Sequence, residues 1–151
     1  MPDPGETVTN PDTAADVAIV RSFWKALSER DFDAVGAHMA PDGHYVDVAV
    51  KDTDPGARGP AATAARVRLG LGPLHDYQLH DGPIIAADGF VVTEHAETWT
   101  WEPGTSVTLP FTSVMELADG KVTRWWDYFD LATILNAAPK WWLDHVAQGY
   151  A

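Results

Sequence analysis

Apolar residues recur along this chain with two different periods, and the change between them divides it into two parts. Val17, Val20, Phe23, Trp24 and Leu27 are spaced by threes and fours, which predicts an amphipathic helix ending near Ser28. Thr13 is placed to cap it, with Asp16 three residues on in the acidic position of a capping box. A short second helix is expected over Phe32–Met39, then a turn at Pro41-Asp-Gly43. His44–Val50 reads as a strand whose Tyr45 and Asp47 share a face. Lys51–Pro60, with two Pro and two Gly, reads as a loop, and Ala-rich 61–69 as a helix closing near Gly70 and Gly72.

From His75 onward the pattern is that of strands: His75–Ile85, Phe90–Glu102, Thr105–Leu117 and Lys121–Phe129. Asp88-Gly89, Pro103-Gly104 and Asp119-Gly120 separate them at regular spacing, as hairpin turns do. Short helices are expected from Leu131 to Asn136 and after Pro139, the last carrying Trp141, Trp142 and Val146. Helices followed by an antiparallel meander give an α+β domain over residues 13–151. Residues 1–12, with three Pro and one Gly, are expected to be a mobile tail.

The composition narrows the partners. The chain of 151 residues carries a net charge of −12 and no basic block, which argues against a phosphate-binding or nucleic-acid role. Without cysteine, thiol nucleophiles, thiolate metal sites and disulfides are excluded. No apolar run approaches the ~18 residues of a membrane span, so no membrane partner is expected. The start Met1-Pro-Asp-Pro-Gly-Glu6 lacks the basic and apolar segments of a signal peptide, and a cytoplasmic location is the expectation. Hydrophobic residues make up 46%, with seven Trp, enough for a core and a lined pocket.

One carboxylate stands out. Asp127 lies in the run Trp125-Trp126-Asp127-Tyr128-Phe129, where ionisation is costly without partners and the acid is suited to proton transfer. If Asp119-Gly120 is a two-residue hairpin loop, paired residues sum to about 239 and Thr112 faces Asp127. If Pro103-Gly104 is likewise a two-residue loop, pairs sum to about 207 and His95 faces Thr112. His95, Thr112 and Asp127 then form a row on one face, which Glu97 joins. An odd-length loop at Pro103 would send His95 and Glu97 to the other face.

The remaining histidines, His38, His44, His75, His80 and His145, form no persuasive metal-ligand spacing, so no metal is expected. There is no phosphate-binding Gly-rich loop and no Ser in a nucleophile elbow.

The segment Asp119-Gly-Lys-Val-Thr-Arg-Trp-Trp-Asp-Tyr-Phe-Asp-Leu131 resembles the terminal strand of limonene epoxide hydrolases. Gly89-Phe-Val-Val-Thr-Glu-His-Ala-Glu97 is similar to the strand bearing two more of that family's active-site residues. The element order resembles the wider nuclear transport factor 2-like and SnoaL-like superfamily. The resemblance implies a cone-shaped curved antiparallel sheet wrapped around N-terminal helices, enclosing a deep apolar pocket. It implies Asp127 as the water-activating base, with Glu97 in the place of the family's acidic Asp. His95 stands where the bridging Arg would be, Tyr45 matches the water-holding Tyr, and Asp47 replaces Asn. The missing Arg matters most, because His is shorter and titrates near neutrality.

Three functions therefore stay open. The first is an epoxide hydrolase using Asp127 as base and Glu97 or His95 as acid. The second is a SnoaL-like polyketide or terpenoid cyclase, isomerase or dehydratase using a His95–Asp127 pair. The third is a noncatalytic ligand-binding or dimerisation module. Trp99, Trp125, Thr112 and Phe129 are the candidates for the substrate-facing wall. A hydrophobic small molecule is the expected ligand, a homodimer the expected assembly, and no cofactor is expected. Trp141 and Trp142 are candidates for a lid or a dimer contact.

Overall fold

The longest ladder of the sheet joins β5 (Phe90–Glu102) to β6 (Thr105–Ala118), and the rest of the molecule is arranged around it. The computed structural model describes residues 11–149. Strand β7 (Lys121–Tyr128) pairs with β6 on one side and with β1 (Met39–Asp47) on the other. A two-residue β2 (Ala57–Arg58) flanks β1, while β3 (Asp76–His80) and β4 (Ile84–Ala87) both pair with β5. The order is β2-β1-β7-β6-β5-β3, antiparallel throughout except for the parallel β1–β7 pair. This is the α+β architecture expected, with a curved open sheet and helices against its inner face.

Helix α1 (Pro11–Ser28) buries Val20, Phe23, Trp24 and Leu27, four of the five positions its spacing singled out, while Val17 is half-buried. It begins before Thr13, which therefore sits in its first turn rather than capping it. The tail expected over residues 1–12 lies, apart from that helix start, outside the described residues. Helix α2 (Phe32–Ala37) is capped by Asp31, whose carboxylate accepts from Ala34 N–H at 3.1 Å. Helix α3 (Gly59–Leu71) packs Val67 and Leu71 inward. Helix α4 (Leu131–Ala137) is capped by Asp130, and α5 (Lys140–Val146) closes the chain. No helix among the described residues is long and apolar enough to cross a membrane.

Three local expectations need correction. Pro41-Asp42-Gly43 is not a turn ahead of a strand but an irregularity inside β1, whose register against β7 shifts between Met39 and His44. A proline without an N–H is tolerated at such a break in the ladder. Val48–Val50 forms a 3₁₀ turn instead of extending the strand. The strand expected over His75–Ile85 is broken at Asp81-Gly82-Pro83. There the chain passes so close to β5 that a Cβ on Gly82 would stand 1.8 Å from Glu94 O.

The hairpin turns have the expected chemistry. Asp88-Gly89 and Asp119-Gly120 carry positive φ at both residues, as type I′ turns require, whereas at Pro103-Gly104 only the glycine does. Glu102 faces Thr105 and Ala118 faces Lys121, so both loops have two residues. Each ladder then shifts by one, between Thr100 and Glu102 and between Glu116 and Leu117. Asp127 consequently faces Ser113, and His95 faces Phe111. Thr112, paired with Glu94 and Tyr128, points to the opposite face, so the expected row through Thr112 does not exist.

Candidate active site

A cavity of about 320 Å³ opens between the inner face of the sheet, α3 and the C-terminal helices. Its walls include Trp99, Phe111, Trp125, Phe129, Leu131 and Ile134, and its polar lining comes from Tyr45, Asp47, Asp54, Arg66, Glu97 and Asp127. Trp142 covers it from α5, buried against Trp99 and Trp101, its Nε1 donating to Gly70 O at 2.9 Å. Trp141 is 43% exposed, so of the two tryptophans it is Trp142 that joins the cavity wall.

Asp127 enters from the end of β7, where alternation puts Trp125 and Asp127 on the inner face. Ser113 Oγ and Trp125 Nε1 both donate to its Oδ1, at 2.5 and 2.6 Å. No protein donor reaches Oδ2 among the described residues. Burial and the charge of Asp47 push its pKa well above the usual carboxylate range, and Glu97 adds to this. The bonds from Ser113 and Trp125 oppose the rise without cancelling it. The acid is thereby turned into a stronger base.

Beside it, Asp47 is the direct β1 partner of Asp127 in the parallel ladder. Tyr45 Oη donates to Asp47 Oδ1 at 2.9 Å, and Arg66 donates to Oδ2 through Nε at 3.2 Å and Nη2 at 2.9 Å. Arg66 Nη1 also grips both oxygens of Asp54, at 2.9 and 2.8 Å. Its guanidinium lies over the Tyr45 ring, 5.4 Å to the centroid, and that ring stacks on Trp125 at 3.8 Å. Burial would lower the Arg66 pKa, but Asp47, Tyr45 and Asp54 raise it further, and the side chain stays a cation. Burial, then Asp47 and Asp127, hold Tyr45 well above its ordinary pKa, as a neutral hydroxyl.

Glu97 approaches from β5. Its Oε1 meets His95 Nε2 at 3.2 Å and its Oε2 accepts from Trp99 Nε1 at 2.7 Å. His95 itself is not on the cavity wall. It is stacked against Phe111 at 5.5 Å, lies 4.5 Å from the Trp24 ring, and borders a second cavity of about 260 Å³ on the α1 side. Its Nδ1 is buried and has no hydrogen-bond partner among the described residues. Tyr77 on β3 completes this flank; burial first and the nearby Glu97 second raise its pKa.

Residues 14–140 match the catalytic domain of limonene-1,2-epoxide hydrolase. The chain belongs to the limonene-1,2-epoxide hydrolase family. It is 32% identical over 130 residues to epoxide hydrolase EphG of Mycobacterium tuberculosis, a span covering 83% of this chain and 82% of that protein. The solved structure of an M. tuberculosis LEH-like epoxide hydrolase superposes with a TM-score of 0.70 at 29% identity, covering 84% of this chain and 91% of that one. A protein described as a SnoaL-like polyketide cyclase, from Jannaschia sp. CCS1, shares the fold with a TM-score of 0.77 at 16% identity, covering 89% and 99%.

For this family member the structure gathers Asp127, Glu97, Tyr45 and Asp47 around one cavity, with Trp99, Trp125 and Phe129 on its wall. Two site expectations fail. Thr112 is on the other face of the sheet, and its place opposite Asp127 is taken by Ser113. The His95–Asp127 pair is not formed, because His95 bonds Glu97 while Asp127 is held by Ser113 and Trp125. Sequence reasoning missed Ser113 and, more consequentially, Arg66: a guanidinium is present after all, but it comes from α3 rather than β5. Arg66 and Arg68 flank the buried Val67, and Arg68 turns outward to Asp33 at 2.7 Å. Their shared position beside a core residue was a signal that a cation could turn inward.

Proposed function

We propose that this chain opens an epoxide on a compact apolar substrate by general acid/base catalysis with water as nucleophile. The observation that carries this is the pair of carboxyl groups, Asp127 and Glu97, facing one apolar cavity from different strands. Asp127 Oδ2 takes a proton from water while Tyr45 Oη, its hydroxyl hydrogen committed to the bond it donates to Asp47, offers lone pairs to orient that water. The water oxygen bonds to one epoxide carbon, the carbon–oxygen bond breaks, and the released oxygen takes the proton that Glu97 shares with His95. The product is a vicinal diol; the proton on Asp127 returns to solvent, and the Glu97–His95 pair takes one back from solvent, which restores the site. At about 320 Å³ the cavity is near the lower end of the ~300–1,000 Å³ range of ligand pockets, which favours a mono- or bicyclic substrate.

Turnover of cyclic epoxides in ¹⁸O-water tests this reading. One labelled oxygen per diol and no label in the enzyme is the expected result. Absence of diol from a panel of cyclic terpenoid epoxides, with folded protein, would overturn it. The isomerase reading required a His95–Asp127 pair, and the geometry offers it no support.

A further inference from the structure

Arg66 is the cation at the cavity, the reaction above leaves it without a task, and its position is specific. Asp47 and Asp127 are paired residues on adjacent strands, about 4.8 Å apart at the backbone. Two carboxylates so close do not both ionise readily, and one proton tends to be shared between them. Which of them carries it depends on the donors each receives.

The donors are divided unequally. Asp47 receives three: two N–H groups of Arg66 on Oδ2 and the Tyr45 hydroxyl on Oδ1. Asp127 receives two, both on Oδ1, and Oδ2 is left for a proton. Arg66 is itself fixed. Its side chain is only 10% exposed, and Asp54 holds its far nitrogen through both carboxylate oxygens. It cannot follow Asp127 without breaking that grip.

We propose that Arg66 is a positioning residue which holds Asp47 as the carboxylate of the Asp47–Asp127 pair, so that the proton the pair exchanges is carried by Asp127 Oδ2. The catalytic proton then sits on the oxygen that faces the cavity, instead of being spread over two strands. The groups facing Asp127 are Tyr45 and Asp47 from β1, Arg66 from α3, Glu97 from β5 and Tyr77 from β3, with His95 behind Glu97. From α4 and α5 only apolar side chains join the wall beside Gly149. Removing Arg66 therefore removes the only cation bonded directly to the pair among the described residues.

The role in catalysis rests on the reading of Asp127 as the base, but the test does not depend on turnover. The ¹³Cγ resonances of Asp47 and Asp127 are followed against pH in the intact protein and in Arg66→Met. In the parent protein only the Asp127 signal moves in the upper titration step. In Arg66→Met both signals move together in that step, and its midpoint rises by roughly one unit or more. Arg66→Lys, which keeps the charge, restores the Asp127-only step. Joint movement already in the parent protein, or an unchanged Asp127-only step in Arg66→Met, overturns the proposal. Should Arg66→Met not fold by near-ultraviolet circular dichroism, Asp47→Asn decides. The Asp127 midpoint then falls by roughly one unit once its charged neighbour is gone, and an unmoved midpoint sinks the idea. A protein that passes these tests yet makes no diol would refute the epoxide reading alone.

Discussion

Two buried carboxyl groups reach the same cavity from opposite flanks of the sheet, and they are held in different ways. Glu97 has both oxygens occupied, one by an imidazole and one by an indole N–H. Asp127 has two donors crowded onto one oxygen and the other left open. An acid with both oxygens tethered keeps its position and hands over a proton along a fixed bond. An acid with a bare oxygen and a raised pKa is suited to take one up. The asymmetry supports the proposal that Asp127 is the base and Glu97 the acid, although both are only 4% exposed.

The largest expected effect breaks the base. Asp127→Asn keeps the shape and can still accept from Ser113 and Trp125, but cannot take a proton from water. Its kcat should fall by about 10³-fold, within the range for losing a general base. Glu97→Gln is expected to fall less, by about 10²-fold, because water can replace a proton donor more easily than a positioned base. Steady-state rates of the two variants on one substrate check this. A larger loss from Glu97→Gln would reverse the assignment.

Stability offers a way to sharpen the comparison without any substrate. Because the Asp127 pKa is raised by folding, the folded state binds more protons than the unfolded one between the ordinary carboxylate pKa near 4 and the raised value. The contribution of Asp127 is thus fully present below the unfolded pKa and is lost as pH rises through the folded one. Asp127→Asn should remove that loss. Its melting temperature at neutral pH should exceed the parent's by ~2–4 °C for each kcal/mol relieved, and the gap should close at pH 4. Calorimetry at the two pH values decides, and a variant less stable at both would contradict the sign.

Element types and the inner face of the late strands were legible in the sequence, because period and turn chemistry are local. The long-range register was not. Two-residue loops at Pro103-Gly104 and Asp119-Gly120 are correct, yet one irregularity near Trp101 and another near Thr123 shift each ladder by a residue. The two shifts have opposite sense. Together they offset His95 from Asp127 by two residues, which keeps both on one face but replaces the shared neighbour Thr112 by Phe111 for His95 and by Ser113 for Asp127. Nothing in either run announces a bulge, since neither contains Gly or Pro at the break. Arg66 was hidden for a different reason. In an Ala-rich helix the polar and apolar sides are poorly separated, so periodicity could not say which arginine turned inward. The family comparison pointed to β5 for a cation, where this chain has His95. The cavity draws one from α3 instead.

The smallest effect concerns Ser113, which the sequence never suggested. Its Oγ donates to Asp127 Oδ1 at 2.5 Å and thereby favours the ionised base. In Ser113→Ala, Trp125 Nε1 still holds the same oxygen at 2.6 Å, so the carboxylate keeps its place while losing one source of charge stabilisation. The midpoint of the acidic limb of kcat/KM should therefore rise by up to about one unit. At pH values well above it, where Asp127 is ionised in both proteins, the two rates should agree within about twofold. The deficit is confined to the acidic side because the bond acts on the equilibrium of the base and leaves its position unchanged. A deficit of constant size across the whole profile would mean that Ser113 orients Asp127 instead. The open oxygen would then owe its direction to β6 as much as to the Trp125 indole on its own strand.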